Sequence, residues 1–127
     1  MSRSFVTRVF DRWARKERIL DSALITAVEG ADAGLVDANL RGCLIKLRVA
    51  RRGAGKSGGY RTIVAYRDKD RAFFLYGFGK NERSNIQTDE AQGFDEYGMI
   101  LLGLTELEAQ LAEGKLRRLI DGKDLQE

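Results

Sequence analysis

Apolar residues recur along the chain with two different periods, and the switches between them mark out its elements. Val9, Phe10, Trp13 and Ala14 stand at i, i+1, i+4 and i+5, the stripe of a helix with Trp13 in the core. Ser4 to Thr7, just before it, reads as a short strand. Asp21 is placed to cap a second helix, with Leu24, Ile25 and Val28 on one face and Gly30 at its end. These two helices are expected to form a hairpin on one face of a sheet. Ala31 to Asn39 holds two Gly/Asp/Asn clusters and reads as a loop.

Period two takes over at Leu44. Ile45, Leu47 and Val49 point one way, and Leu44, Lys46 and Arg48 point towards what should be a wet face. Tyr60 to Arg67 alternates in the same manner. Ala72 to Phe78 is apolar throughout, as a central strand covered on both faces would be. With Asp68-Lys69-Asp70 as a turn, the three runs predict an antiparallel meander. Gly77 and Gly79 flank Phe78 and predict a kink or a close approach of backbone. Helical spacing returns after Asp89 with Phe94, Tyr97, Leu101 and Leu104. Gly93, Gly98 and Gly103 each weaken that helix by roughly 1 kcal/mol relative to alanine, which predicts the least rigid element. Thr105 and Glu108 form a capping box for a last short helix ended by Gly114. Lys115 to Ile120 reads as a final edge strand, and the tail after Asp121 as loose. The expected class is α+β in a single domain over residues 1–127, with two N-terminal helices on a twisted, mainly antiparallel sheet, C-terminal helices and a short last strand.

Charge changes the picture more than composition does. The 127 residues carry a net charge of only +3. Yet Arg41, Lys46, Arg48, Arg51, Arg52, Lys56, Arg61 and Arg67 succeed one another with no acid between them, whereas residues 89–127 hold ten acids against four bases. A basic middle on a small domain suits a polyanion, most often a phosphate backbone, although a solvated sheet face has the same composition. No apolar run approaches the roughly 20 residues of a membrane span. The start of the chain lacks a signal-peptide pattern, and the single Cys43, read as a small buried filler, fits a reducing cytoplasm. The chain has no histidine, which excludes imidazole acid–base chemistry, Ser-His and Cys-His nucleophiles and His-built zinc sites. No metal and no cofactor is expected.

The chemistry concentrates between Gly53 and Ile86. Ala50 to Ser57 reads A-R-R-G-A-G-K-S, a relaxed P-loop pattern. A P-loop needs a helix after its Gly-Lys-Ser, and here Gly58-Gly59-Tyr60 leads into a strand, so nucleotide hydrolysis is rejected. What remains is a glycine-rich basic loop at one end of the meander and a Lys80-Asn81-Glu82-Arg83 cluster at the end of its last strand. That cluster also reads as an ordinary polar turn.

Two of these stretches carry a resemblance. G-K-S-G-G-Y-R at Gly55 to Arg61 and Y-G-F-G-K-N-E-R-S-N-I at Tyr76 to Ile86 resemble the RelE/HigB-type toxins of bacterial toxin–antitoxin modules. Arg12 to Lys16 and Ala33 to Leu40 are similar to the HigB-like branch. The likeness covers about residues 3 to 90, and the acidic C-terminal part matches loosely. It implies a small α/β toxin that enters the ribosomal A site and cleaves mRNA. It also implies a cognate antitoxin, often of helix-turn-helix type, that neutralises the toxin and mediates any contact with operator DNA.

Carried over residue by residue, the resemblance gives Lys56, Arg61, Lys80 and Arg83 as the catalytic set. Lys46, Arg48, Arg51, Arg52 and Tyr60 are the expected RNA contacts, Tyr60 by stacking on a base or by donating a proton. The residues support this chemistry independently. Attack by a 2′-OH needs a base, stabilisation of the phosphorane and an acid for the 5′-oxygen. Without histidine, a lysine kept neutral by neighbouring cations is the natural base, and arginines fork onto the phosphate. Glu82 is either a base or an orienting partner for an arginine. Asn81 and Gln87 stand where RelE-branch relatives have arginine and tyrosine, which leaves the general acid unassigned. Two alternatives stay open: a binding-only, ParE-like toxin acting on DNA gyrase, and an inactive relative that binds only antitoxin or nucleic acid.

Overall fold

The computed structural model describes residues 2–51, 55–79, 82–83, 85–105, 108, 112 and 114–119. Strand β1 (Arg3–Thr7) runs into helix α1 (Arg8–Lys16) and then α2 (Asp21–Asp32). Next come a short β2 (Ala38–Asn39), the meander β3 (Leu44–Arg51), β4 (Gly55–Arg67) and β5 (Arg71–Gly79), helix α3 (Thr88–Leu102) and β6 (Leu116–Arg118). These strands form one sheet in the order β2-β3-β4-β5-β1-β6. Only the β1–β5 pair is parallel; the rest are antiparallel. The expected α+β architecture is therefore present, with two N-terminal helices on a mainly antiparallel sheet.

Local chemistry explains most element ends. Thr7 caps α1, its hydroxyl accepting from the Phe10 amide at 3.2 Å. Asp21 does not cap α2 as expected: it is the first helical residue, and the cap position belongs to Leu20, which makes no side-chain cap bond. Gly30 does not end that helix, which continues to Asp32. Gln87 and Glu90 cap α3 reciprocally. The Thr105–Glu108 box is formed as well, with both bonds at 3.1 Å.

The sheet is packed on both faces. Val6, Ile45, Leu47, Val49, Tyr60, Val64, Ala72 and Phe74 meet α1 and α2 through Phe10, Ala14, Leu24 and Val28. Phe5, Leu44, Ile63, Ala65, Phe73, Leu75 and Phe78 meet α3 through Leu101 and Leu102. The face of β3 expected to be wet is thus covered at Leu44 and polar only further on. Gly77 faces α1, where a Cβ would stand 2.1 Å from the Trp13 ring. The close approach expected at this glycine is made by an indole rather than by backbone. Gly98 plays a similar part in α3, with Ala65 Cβ at 2.7 Å and Cys43 Sγ at 3.0 Å from where its own Cβ would lie. It lets the helix settle on the sheet rather than merely weakening the helix.

Three polar clasps fasten the ends. Asp32 accepts from the Ser2 amide at 2.9 Å, the Ser2 hydroxyl at 2.7 Å, the Tyr66 hydroxyl at 2.5 Å and the Lys69 amide at 3.2 Å. Asp95 of α3 accepts from the Cys43 amide at 3.0 Å and from its thiol at 3.2 Å. Burial, with Asp95 second, pushes that thiol up to about 12, so it stays protonated and inert. Arg117 of β6 forks onto Asp11 of α1 at 2.8 Å and Asp21 of α2 at 2.7 Å. Lys80, Arg52, Ile120 and the tail after Asp121 lie outside the described residues, as does the helix expected before Gly114 apart from Glu108 and Ala112.

Gly77→Ala should lower the unfolding free energy by about 1–3 kcal/mol through overpacking against Trp13. Gly93→Ala, where nothing lies within 4 Å of the added Cβ, should raise it by about 0.5–1 kcal/mol. Urea unfolding of the two variants checks both signs. Burial raises the carboxyl pKa of Asp11, but Arg117 and Arg15 outweigh it and hold it below its ordinary 3.8. A depressed carboxyl stabilises the fold above its unfolded pKa and ceases to as pH falls through the folded value. Arg117→Met should therefore cost about 1 kcal/mol at pH 7, and the gap from the parent should close as pH drops below 3.8. Unfolding midpoints across that range measure it.

Candidate nucleic-acid interface

The register of the meander builds the site. Arg48 of β3 pairs with Arg61 of β4, and Arg61 pairs with Phe78 of β5. One step along, Lys46 pairs with Ile63, and Ile63 with Tyr76. Directly paired residues project to the same side of a sheet with Cβ atoms about 5 Å apart. Lys46, Arg48, Arg61, Tyr76 and Phe78 therefore share the α3 side of the sheet.

Asp37, just before β2, answers the cations. Its amide donates to the Lys46 carbonyl at 3.0 Å, which fixes it beside β3. Its carboxylate then lies 2.7 Å from Arg48 Nε, 3.6 Å from Arg61 Nε and 3.7 Å from Lys46 Nζ. One carboxylate thus serves three cations, and the cluster keeps an excess of positive charge. Arg61 is only 8% exposed, and its buried Nη1 has no hydrogen-bond partner among the described residues. A guanidinium desolvated to this degree with a donor unused costs stability unless an anion completes it. A phosphate oxygen suits it in charge and geometry.

Arg83 is differently placed. Its Nη2 and Nη1 donate to Glu90 at 2.5 and 3.2 Å, Nη1 also to the Tyr76 hydroxyl at 3.2 Å, and Nε to the Asn85 carbonyl at 3.0 Å. Its guanidinium carbon lies 5.7 Å from the Tyr76 ring centre and 5.8 Å from that of Phe78. Arg61 and Arg83 thus both border Phe78, but Arg83 spends its nitrogens on the protein. The Glu90 hydrogen bond, then that of Tyr76, pushes its pKa further up, and Arg83 in turn holds Glu90 below the ordinary carboxylate range. Glu90 also accepts from the Gln87 amide at 2.8 Å. Arg83 therefore straps the segment after β5 to the first turn of α3.

Tyr60 is not placed for the stacking expected of it. Its ring is buried on the opposite face, edge-on to Trp13 at 5.3 Å, which leaves no stacking surface for a base. The Gly55-Lys56-Ser57 run lies within β4, not in a loop before it, and no helix follows, in keeping with the rejected P-loop. Arg51 ends β3 opposite Gly55. The side chains of Arg51 and Lys56, and all of Arg52 and Lys80, lie outside the described residues. Sequence reasoning overlooked Asp37 and Glu90. Asp37 is the nearest acid upstream of the eight-cation run, and Gln87-Thr88-Asp89-Glu90 has the spacing of a capping box. Among the described residues no three Asp, Glu or Cys side chains converge as a metal site, and no helix is long and apolar enough to cross a membrane.

A comparison with protein families agrees with the motif-level resemblance. The model described as "RelE toxin of RelE / RelB toxin-antitoxin system" matches residues 2–127.

Glu90→Gln should loosen the strap without touching the sheet. Amide hydrogen exchange across residues 86–91 should speed up by about tenfold while β4 amides keep the parent rate. Exchange followed by mass spectrometry reads both.

Proposed function

The chain belongs to the RelE toxin family, and from that premise we propose that it is a ribosome-dependent mRNA endonuclease that inhibits translation in the cytoplasm. The observation that carries this reading is the unpaired, buried Nη1 of Arg61 inside a cation-rich row. Arg61 takes a non-bridging oxygen of the scissile phosphate and holds the charge that grows on the phosphorane. Lys46 and Arg48 steer the adjoining backbone, and Asp37 keeps the cations from repelling one another apart. Lys80 follows directly on β5, whose last residue, Gly79, pairs with Tyr60 beside Arg61. Lys56 lies in the same β4 strand as Arg61.

These two lysines are assigned to the proton transfers. One, neutral, removes the 2′-OH proton; the other, charged, protonates the departing 5′-oxygen. Arg83 acts by bracing β5, through Tyr76, against Glu90 of α3. Members of this family pair with an antitoxin; here it is taken to be a helix-turn-helix protein through which operator DNA is bound.

Arg61→Met tests the reading. A positive charge that is partly unpaired contributes little to the fold, so stability should stay within about 1 kcal/mol of the parent or rise. Growth arrest on expression, and the mRNA cleavage ends seen by primer extension, should disappear. Full toxicity in a stably folded Arg61→Met protein would refute the assignment. Intact mRNA with inhibited DNA supercoiling would refute the nuclease reading itself.

A further inference from the structure

We infer that the apolar groove between the start of α1, β5 and α3 is the docking surface for the antitoxin, and that it takes a segment with an apolar face edged by carboxylates. This rests on reading the chain as the toxin of a pair. The groove encloses about 460 Å³, and Val9, Leu75, Phe94 and Tyr97 form its walls, with Arg8 and Lys115 at its rim. It lies on the α3 side of the sheet, towards β1 and β6.

Two observations point to a partner, and to an acidic one. Val9 belongs to the apolar stripe of α1 by spacing, yet it is 69% exposed; Tyr97 is 40% exposed and Ile100, one turn further along the same helix, 66%. Among the described residues these side chains leave apolar surface exposed at and beside the groove. At the rim, the Arg8 amide donates to the Lys115 carbonyl at 2.9 Å. Both side chains are exposed, and among the described residues neither has an ion-pair or hydrogen-bond partner. Two neighbouring cations beside an apolar trough match a partner whose hydrophobic anchors are flanked by Asp or Glu. A second copy of this chain fits poorly, because an isologous contact would set this cationic rim against itself. RNA fits poorly too, since the lining is mainly apolar and carries only two cations, both at its rim. The groove also touches the candidate cleft: Tyr76 lines it, while the Tyr76 hydroxyl accepts from Arg83.

The test is the affinity between the purified chain and the antitoxin encoded beside it, measured by calorimetry at two salt concentrations. Val9→Asp should weaken binding about tenfold or more. The double change Arg8→Glu with Lys115→Glu should weaken it and flatten its salt dependence. Leu20→Asp, equally exposed but away from the groove, should bind like the parent. The Val9 and double variants should keep the parent unfolding midpoint. Leu20→Asp, which supplies α2 with an N-cap carboxylate, should keep or raise it. All three should, without antitoxin, keep the parent growth arrest. Parent-like affinity in the Val9 and double variants would overturn the proposal. So would equal weakening by Leu20→Asp, or a parent homodimer that Val9→Asp dissociates in sedimentation. If the parent causes no growth arrest but the affinities change as described, the nuclease reading falls and the docking surface stands.

Discussion

An arginine held nine-tenths out of water with part of its charge unanswered is the constraint around which this protein is built. Asp37 stands 3.6 Å from Arg61 Nε, and it is also shared with Lys46 and Arg48. Such an arrangement lowers stability in the free protein, and the surrounding sheet must be rigid enough to bear it. It is: Arg61 sits on β4, between β3 and β5, with Thr62, Ile63, Val64 and Ala65 after it all fully buried. On the proposed reading, interaction energy that an apolar side chain would spend on folding is instead reserved for an anion.

The two faces of the sheet divide the labour. One is closed by α1 and α2, and the fit is tight enough that Trp13 fills the space a side chain at position 77 would need. The other is closed by α3 only in part. Gly98 lets that helix lie against Ala65, and Phe94 stacks on Tyr76 at 5.5 Å. Arg48 stays exposed on β3, and Arg61 lies buried beside it. The Arg83–Glu90 fork then ties the segment after β5 to the helix. Position, more than the identity of any single residue, distinguishes Arg61, whose Nη1 makes no hydrogen bond, from Arg83, whose three nitrogens all donate to the protein.

The meander, the two N-terminal helices and the edge strand could be read from the chain because most are locally amphipathic, with period two or period 3.6, and β5 is a continuous apolar run bounded by a charged turn and a glycine. Alternation put Lys46 and Arg48 on one face of their own strand, but that Arg61 shares it came only with the register between β3 and β4. Three features escaped. The parallel pairing of β1 with β5 joins residues nearly 70 positions apart and leaves no local trace. Tyr60 was misplaced because alternation gives two faces but not which residues a helix covers; only Trp13, from another element, settles its burial. Asp37 and Glu90 lie outside the motifs they serve; the capping-box spacing from Gln87 marks Glu90 as a helix cap, but nothing local ties it to Arg83.

The central claim is that Arg61 receives a phosphodiester through its unpaired edge. It is tested most directly by following the arginine Nε–Hε resonances in NMR while a short oligoribonucleotide, 2′-O-methylated so that it cannot be cut, is titrated in. The account predicts that the Arg61 signal shifts saturably, with Arg48 responding more weakly, and that affinity falls with salt at a log–log slope of about −0.7 per phosphate contacted. A bound oligonucleotide that leaves the Arg61 resonance unmoved while shifting arginines elsewhere would contradict it.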